Sequence, residues 1–590
     1  MRVFLIVLSL LVCSDLFATE DFRELYSTPY ERSDGNQTAT YHQAIQYYST
    51  LAAKNPRISL SEMGPTDSGR PLHLVLIADP VPSLDEVLTD SRSVLLVNNA
   101  IHPGEPDGVD ASMAFARDLA FDDAHYGDTL KNVIVAIIPL YNIGGALNRN
   151  SGTRANQNGP EEYGFRGNAR NYDLNRDFIK CDTNNARSFA EIFHQLDPDL
   201  FLDTHVSNGA DYQHVMTTSH SQKDKLGLRL GRYLEDTFEP QLFSKLKGDG
   251  FPTIPYVNSG GQPPERGFSQ FLETPRYSTG YTALFQTMGF MTETHMLKPY
   301  AQRVRATRAF LDRSTELLAE DGERIQEIRQ EDRREYKRQQ KVAIAWEVDR
   351  NTPSRLEFHG YEASYLPSEV TSGKRLFYDR SKPFVRDIPY YNNYVVSKEV
   401  TVPSAYVIPQ GWHRVIELMK LNGVRMQRLQ KAATVPAGVY HIEDVTTRST
   451  PYEGHYFHDD VTAQKQIERV SLNVGDVIIP VTQDKARYIV ETLEPEAMDS
   501  LFRWNYFDTI LQRKEYFSPY IFEDSAKQML SKDPDLAAEF EKRKREDRGF
   551  AANRRAQLTF LYERSNNAEH AYHRYPIIRL GGPSFISLFK

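Results

Sequence analysis

The chain has 590 residues, 40% of them hydrophobic and 11% aromatic, with a formal net charge of −9. That length and apolar content exclude a disordered polymer and leave room for more than one core. The acidic balance leaves no surplus of cations to neutralise phosphates, which excludes nucleic acid as a partner.

The N-terminus reads as a leader. Arg2 precedes residues 3–12, apolar except for Ser9, and the small Ala18 stands before Thr19. This order predicts a signal peptide over 1–18 and an exported protein, periplasmic or extracellular. The apolar run is short of the about 20 residues that cross a bilayer, and no later stretch approaches that length, so no transmembrane segment is expected. The two cysteines are Cys13 and Cys181. Removal of the leader leaves one, so no internal disulfide is expected.

Residues 20–60 predict an arm and a helix, with Ile45, Tyr48 and Leu51 on one face of 41–54. Short apolar runs at 71–78, 94–98, 133–139, 200–203 and 289–292 alternate with helical stretches. They predict an α/β core with a mixed, mostly parallel sheet covered by helices on both faces. Residues 303–341 form a charged helical stretch whose alternating signs predict a solvated face, and 316–341 reads as a linker. The organisation that follows is a catalytic unit over 19–315, the linker, and a C-terminal part over 342–590, β-rich first and capped by helices after about 484.

The chemistry concentrates at strand ends. His102 and Glu105 directly follow the apolar run at 94–98, and Pro103-Gly104 forces a tight turn between them. Imidazole and carboxylate are both zinc ligands, and a catalytic zinc takes three from the protein. His205 closes the run FLDTH and supplies the third; Glu293 in GFMTETH brings a carboxylate to the same edge. In open α/β sheets such edges are where sites form. His295, two residues on, reads as a supporting or structural histidine. His455, His458 and Asp459 resemble a metal cluster but have no fourth partner in sequence, and read as a surface strand or loop.

The order His102-Pro-Gly-Glu105, Asp173-Leu-Asn175-Arg176, His205, Glu293 resembles the carboxypeptidase A-like zinc peptidases, over roughly residues 20–315. The resemblance implies that fold and one Zn²⁺ ion held by His102, Glu105 and His205. It implies that Asp173 hydrogen-bonds the outer nitrogen of His102, that Asn175 and Arg176 grip a substrate carboxylate, and that Glu293 is general base and then acid. Family members also use an upstream arginine, for which Arg149, Arg154, Arg166 and Arg170 all stand in place, and a tyrosine before the glutamate. Arg276, Tyr277 and Tyr281 are the candidates for lining the substrate pocket there. Two features depart from the pattern. The His-x-Gly-Glu turn looks more like the related amide deacylases, and residues 139–145 (PLYNIGG) replace the usual Asn-Pro-Asp-Gly segment.

The expected activity is therefore removal of a C-terminal residue from a peptide with a free carboxylate. The alternative is a zinc amidase or deacylase acting on a non-peptide or cell-wall amide. No inhibitory pro-segment is expected, and the sequence assigns no oligomeric state.

Overall fold

The computed structural model describes residues 21–588, and the expected leader lies outside them. Nine strands belong to the N-terminal half: β1 (Ile58–Pro65), β2 (Pro71–Ile77), β3 (Ser93–Asn98), β4 (Val133–Ile138), β5 (Leu200–Ser207), β6 (Met216–His220), β7 (Ile254–Pro255), β8 (Phe268–Ser269) and β9 (Met288–His295). All but β8 form one sheet in the order β1-β2-β4-β3-β5-β9-β6-β7. Its centre, β4-β3-β5-β9, is parallel, and antiparallel strands flank it on both sides. Strands β3, β4 and β5 are buried along their whole length, which is why they read as unbroken apolar runs rather than alternating ones.

Alternate residues of β3 and β5 enter two cores. Leu95, Val97, Leu200 and Leu202 pack with Val109 and Phe115 of the helix Asp107–Phe121 and with Phe310 and Leu318 of the helix Tyr300–Tyr336. Leu96 and Phe201 pack on the other face, with Phe189 and Phe193 of the helix Asn184–Leu196. Close approach fixes the first helix over the sheet. A Cβ on Gly108 would fall 2.0 Å from the hydroxyl of Thr204, so only glycine lets the helix sit directly above β5.

The charged stretch expected to be a solvated linker is not one. It belongs to the single helix Tyr300–Tyr336, which buries Leu317, Leu318, Ile325 and Ile328 against the sheet. Arg329 and Arg333 are also buried, because both donate to Asp197 at the end of helix Asn184–Leu196. The helix therefore closes the α/β layer and leads straight into the C-terminal part.

That part carries β10 (Lys341–Val348), β11 (Ser354–Pro367), β12 (Lys374–Tyr391), β13 (Tyr394–Thr401), β14 (Ala405–Ile408), β15 (Gln427–Arg428), β16 (Ala433–Thr447), β17 (His458–Leu472), β18 (Val477–Pro480) and β19 (Ile578–Leu580), with helices over His413–Leu421, Ala486–Leu493 and Gly582–Ser587 and a helical cap over Pro519–Lys532, Pro534–Glu546, Arg548–Ala552 and Arg554–Tyr562. Its largest sheet is six-stranded, β15-β18-β14-β19-β16-β17, and β12 recruits β8 of the N-terminal half as a parallel neighbour. The two halves share a core. Tyr281, Leu284 and Phe285 lie in one apolar cluster with Tyr406, Tyr488 and Ile489. Among the described residues no helix is long and apolar enough to cross a membrane.

Candidate metal centre

The turn after β3 is built for convergence. Ala100 adopts a left-handed φ of 55°, and the Glu105 amide donates to the His102 carbonyl at 2.8 Å. A Cβ on Gly104 would come within 2.8 Å of the Arg154 side chain and 3.2 Å of the Gly164 carbonyl, so the turn is closed too tightly for another residue. The helix Asp107–Phe121 begins immediately afterwards. His205 and Glu293 are register partners on the adjacent parallel strands β5 and β9, near their C-terminal ends.

His102, Glu105 and His205 meet, with one candidate ligand atom from each lying within 4.8 Å of the others, and all three are buried. The two imidazoles turn their Nδ1 atoms toward each other at 3.2 Å. Glu105 Oε2 lies 3.0 Å from Nδ1 of His205 and 3.3 Å from Nδ1 of His102. The outer nitrogens face carboxylates: Asp173 Oδ1 is 2.9 Å from Nε2 of His102, and Asp203 Oδ2 is 3.1 Å from Nε2 of His205. A proton held at Nε2 by an outer carboxylate leaves the Nδ1 lone pair pointing inward. Two inward lone pairs and a carboxylate oxygen form a donor set that suits a divalent metal ion.

Asp173 is also gripped from outside. Arg166 donates to its Oδ2 from Nε at 3.0 Å and Nη2 at 2.8 Å. Burial opposes its ionisation, but His102, Arg166 and Arg176 outweigh that and hold the carboxyl well below the usual range. Arg154 donates to Glu105 Oε1 at 2.6 Å and to the Val206 carbonyl at 3.0 Å. Of the four upstream arginines, these two reach the ligands. Arg149 pairs with Glu162, and Arg170 lies toward Asp67 and the carbonyl of Asp182.

A cavity of about 560 Å³ opens over this cluster, lined among others by Asn175, Arg176, Tyr277 and Glu293. The Arg176 guanidinium lies 4.5 Å above the Tyr277 ring, and Asn175 Oδ1 accepts from the Ser278 amide at 3.2 Å. Burial pushes Glu293 up to about 8, Glu105 and Glu273 adding to the effect against His205.

Two expected pocket residues lie elsewhere. Tyr281 is fully buried, and its hydroxyl donates to Asn422 of the C-terminal part at 2.6 Å, so it is a core residue. Arg276 turns away from the cavity; its guanidinium is fixed on Asp499 at 2.9 and 2.7 Å and sits over Phe457 and Trp504. His295 is a structural residue: its Nε2 donates to the Ala210 carbonyl at 2.7 Å and its Nδ1 accepts from the Leu297 amide at 3.1 Å. Among the described residues His455, His458 and Asp459 form no metal group; His458 is buried, His455 is half-buried in the hairpin turn, and Asp459 is exposed and accepts from Arg448. His455 meets Asp182 at 2.6 Å, and His458 meets Asp508 at 3.0 Å.

Glu273 is a further acidic residue of the cavity. It is 2% exposed, lines the cavity, and neither carboxylate oxygen has a hydrogen-bond partner among the described residues. Burial pushes it up to about 7. No motif marks it; the only sequence signal is an acid four residues before Tyr277.

No family model matches the chain. Carboxypeptidase 2 of Trichophyton equinum and that of Trichophyton rubrum are each 22% identical to it over 487 residues, which covers 79% of this chain and 84% of theirs. That length exceeds the N-terminal half, so the likeness continues into the C-terminal part. Among solved structures, a metallo-carboxypeptidase from Pseudomonas aeruginosa is 16% identical, spans 49% of this chain and 70% of its own, and gives a TM-score of 0.37. The chain is a hydrolase, similar over most of its length to these carboxypeptidases and carrying a His-Glu-His cluster at the strand ends of an α/β sheet.

Proposed function

We propose that this chain is an exported zinc metallocarboxypeptidase that removes the C-terminal residue of a peptide. The observation that carries the reading is the inward convergence of His102, Glu105 and His205 beneath a cavity that also presents Arg176 and Glu293. When bound to these three residues, zinc supplies a Lewis acid that polarises a carbonyl and acidifies water. Asp173 orients the His102 imidazole by a hydrogen bond, and the Asp203 carboxylate lies 3.1 Å from Nε2 of His205 as an ion-pair contact. Arg176, backed by Tyr277, receives the terminal carboxylate, and Asn175 holds the segment in register through Ser278. Glu293 takes the proton of the attacking water and returns it to the leaving amine. Arg166 assists the developing oxyanion. Its Nη1 lies at the ligand atoms, 3.3 Å from His102 Nδ1 and 3.4 Å from Glu105 Oε1, while Asp173 holds its Nε and Nη2.

Metal analysis of the purified protein, alongside paired peptides with free and amidated C-termini, tests the reading. The free peptides should be cleaved and the amidated ones spared. Arg176→Ala should raise KM about 10–100-fold on the free peptides, the worth of a charge-assisted hydrogen bond, with a smaller change in kcat. The His102-Pro-Gly-Glu105 turn favours a second reading, a zinc amidase or deacylase, and equal cleavage of both peptide sets would select it.

The unpartnered Glu273 gives the cavity a preference. A C-terminal side chain that brings a cation or a hydrogen-bond donor supplies what the buried carboxyl lacks, and an apolar one does not. Peptides ending in Lys or Arg should exceed those ending in Phe in kcat/KM, and Glu273→Leu should reverse that order by about 10–100-fold in the ratio. An unchanged ratio would remove Glu273 from substrate selection.

A further inference from the structure

The C-terminal part reaches the candidate site through the hairpin of β16 and β17. Its tip is closed by paired backbone hydrogen bonds between Tyr452 and His455, at 2.7 and 3.0 Å. The two residues between them, Glu453 and Gly454, both have left-handed φ values, 48° and 79°. Such two-residue turns ordinarily take Asn or Asp at the first position, so a glutamate there is unusual. Its longer side chain has a use. Glu453 Oε2 accepts the backbone N–H of Asp173 at 2.9 Å, across 280 residues of sequence. Gly454 lies flat on the neighbouring residue: a Cβ there would fall 2.6 Å from the Tyr172 hydroxyl.

Other contacts hold the same segment from the same side. His455 meets Asp182 at 2.6 Å, and the Tyr506 hydroxyl donates to the Lys180 carbonyl at 2.6 Å. The adjoining stretch of the cavity wall, which packs on Asn175 and Arg176, is held in parallel. Arg276, adjacent to Tyr277, is fixed by Asp499 and covered by Phe457 and Trp504. The segments bearing Arg176 and Tyr277 are thus both braced by residues beyond 450.

We propose that the hairpin tip is a working part of this site, with Glu453 a positioning residue for the 172–176 segment. Asp173 does two things that depend on its backbone being fixed. Its side chain orients His102, and its place in the turn sets Arg176 three residues on. Glu453 anchors that backbone, so it serves the metal ligand and the carboxylate anchor together. The inference deepens the carboxypeptidase reading and rests on it for the role of Arg176; its claim on His102 needs only the metal centre.

The experiment compares Glu453→Ala, Glu453→Asp and Glu453→Gln in the full chain. Zinc affinity is read by competition with a chromophoric chelator, and KM and kcat on a peptide with a free C-terminus. Glu453→Ala should weaken zinc binding about 10-fold, the lower range for loss of an outer partner of a metal ligand. It should raise KM about 10-fold, as expected for one lost hydrogen bond to a structural anchor, with kcat moving less. Glu453→Asp keeps the charge but falls one methylene short, and should move both quantities in the same direction; it serves if the alanine variant does not fold. Glu453→Gln keeps an oxygen that can accept from Asp173 and should restore both. Alanine and aspartate variants with unaltered zinc affinity and KM would overturn the proposal. If the parent protein cleaves no free-ended peptide, the peptidase reading falls alone, and the zinc comparison still decides for or against Glu453.

Discussion

Glu293→Gln should leave the metal in place and lower kcat by about 10²–10⁴-fold, the usual contribution of a general base. The expectation follows from where the residue stands. Glu293 is paired in register with His205 on the adjacent strand, so its side chain enters the cavity beside the ligand cluster without joining it. Glutamine preserves size and shape and cannot take a proton. Burial and the nearby Glu105 and Glu273 push the Glu293 carboxyl up in the metal-free site, and a bound divalent cation beside it would favour the ionised form that takes a proton. The measurement is kcat on a free-ended peptide together with the metal content of parent and variant. Turnover within a few-fold of the parent, with zinc bound, would take Glu293 out of proton transfer. Loss of zinc would make it a ligand instead.

The parts of the site that could be read from sequence are those carried by local pattern. An apolar run ending in His-Pro-Gly-Glu specifies a strand, a tight turn and two ligands, because few conformations are open to that turn. His205 and Glu293 were visible for a similar reason, each being a polar interruption near the end of a strand buried on both faces. The misplaced residues depend on partners remote in sequence. Nothing around 276–281 announces Asp499 or Asn422, and those two residues turn Arg276 and Tyr281 away from the cavity. The charged helix Tyr300–Tyr336 looked solvated because Asp197, which pairs with its buried arginines, lies more than 130 residues earlier. Glu273 and Glu453 share this property. One is defined by the absence of a partner and the other by a partner 280 residues away, and periodicity records neither.

His205→Ala should abolish activity by a different route, through loss of the metal, and the comparison with Asp173→Asn separates ligand from support. Removing His205 leaves two protein donors, His102 and Glu105, both on the same short turn, where a catalytic zinc requires three. It also leaves Asp203 and Glu105 as buried carboxylates facing a void, with 0% and 3% exposure. Asp173→Asn keeps all three ligands but removes the charge that holds the His102 proton outward and anchors Arg166, so zinc should bind about 10–100-fold more weakly and saturating zinc should restore part of the turnover. In His205→Ala zinc should weaken by more than that, and no attainable concentration should restore turnover. Chelation of the parent protein followed by readdition of zinc supplies the reference, since activity should vanish and return. If His205→Ala bound zinc as tightly as the parent, the inward-facing imidazole at 205 would not be a ligand. The two nitrogens 3.2 Å apart would then need another cause for pointing at each other.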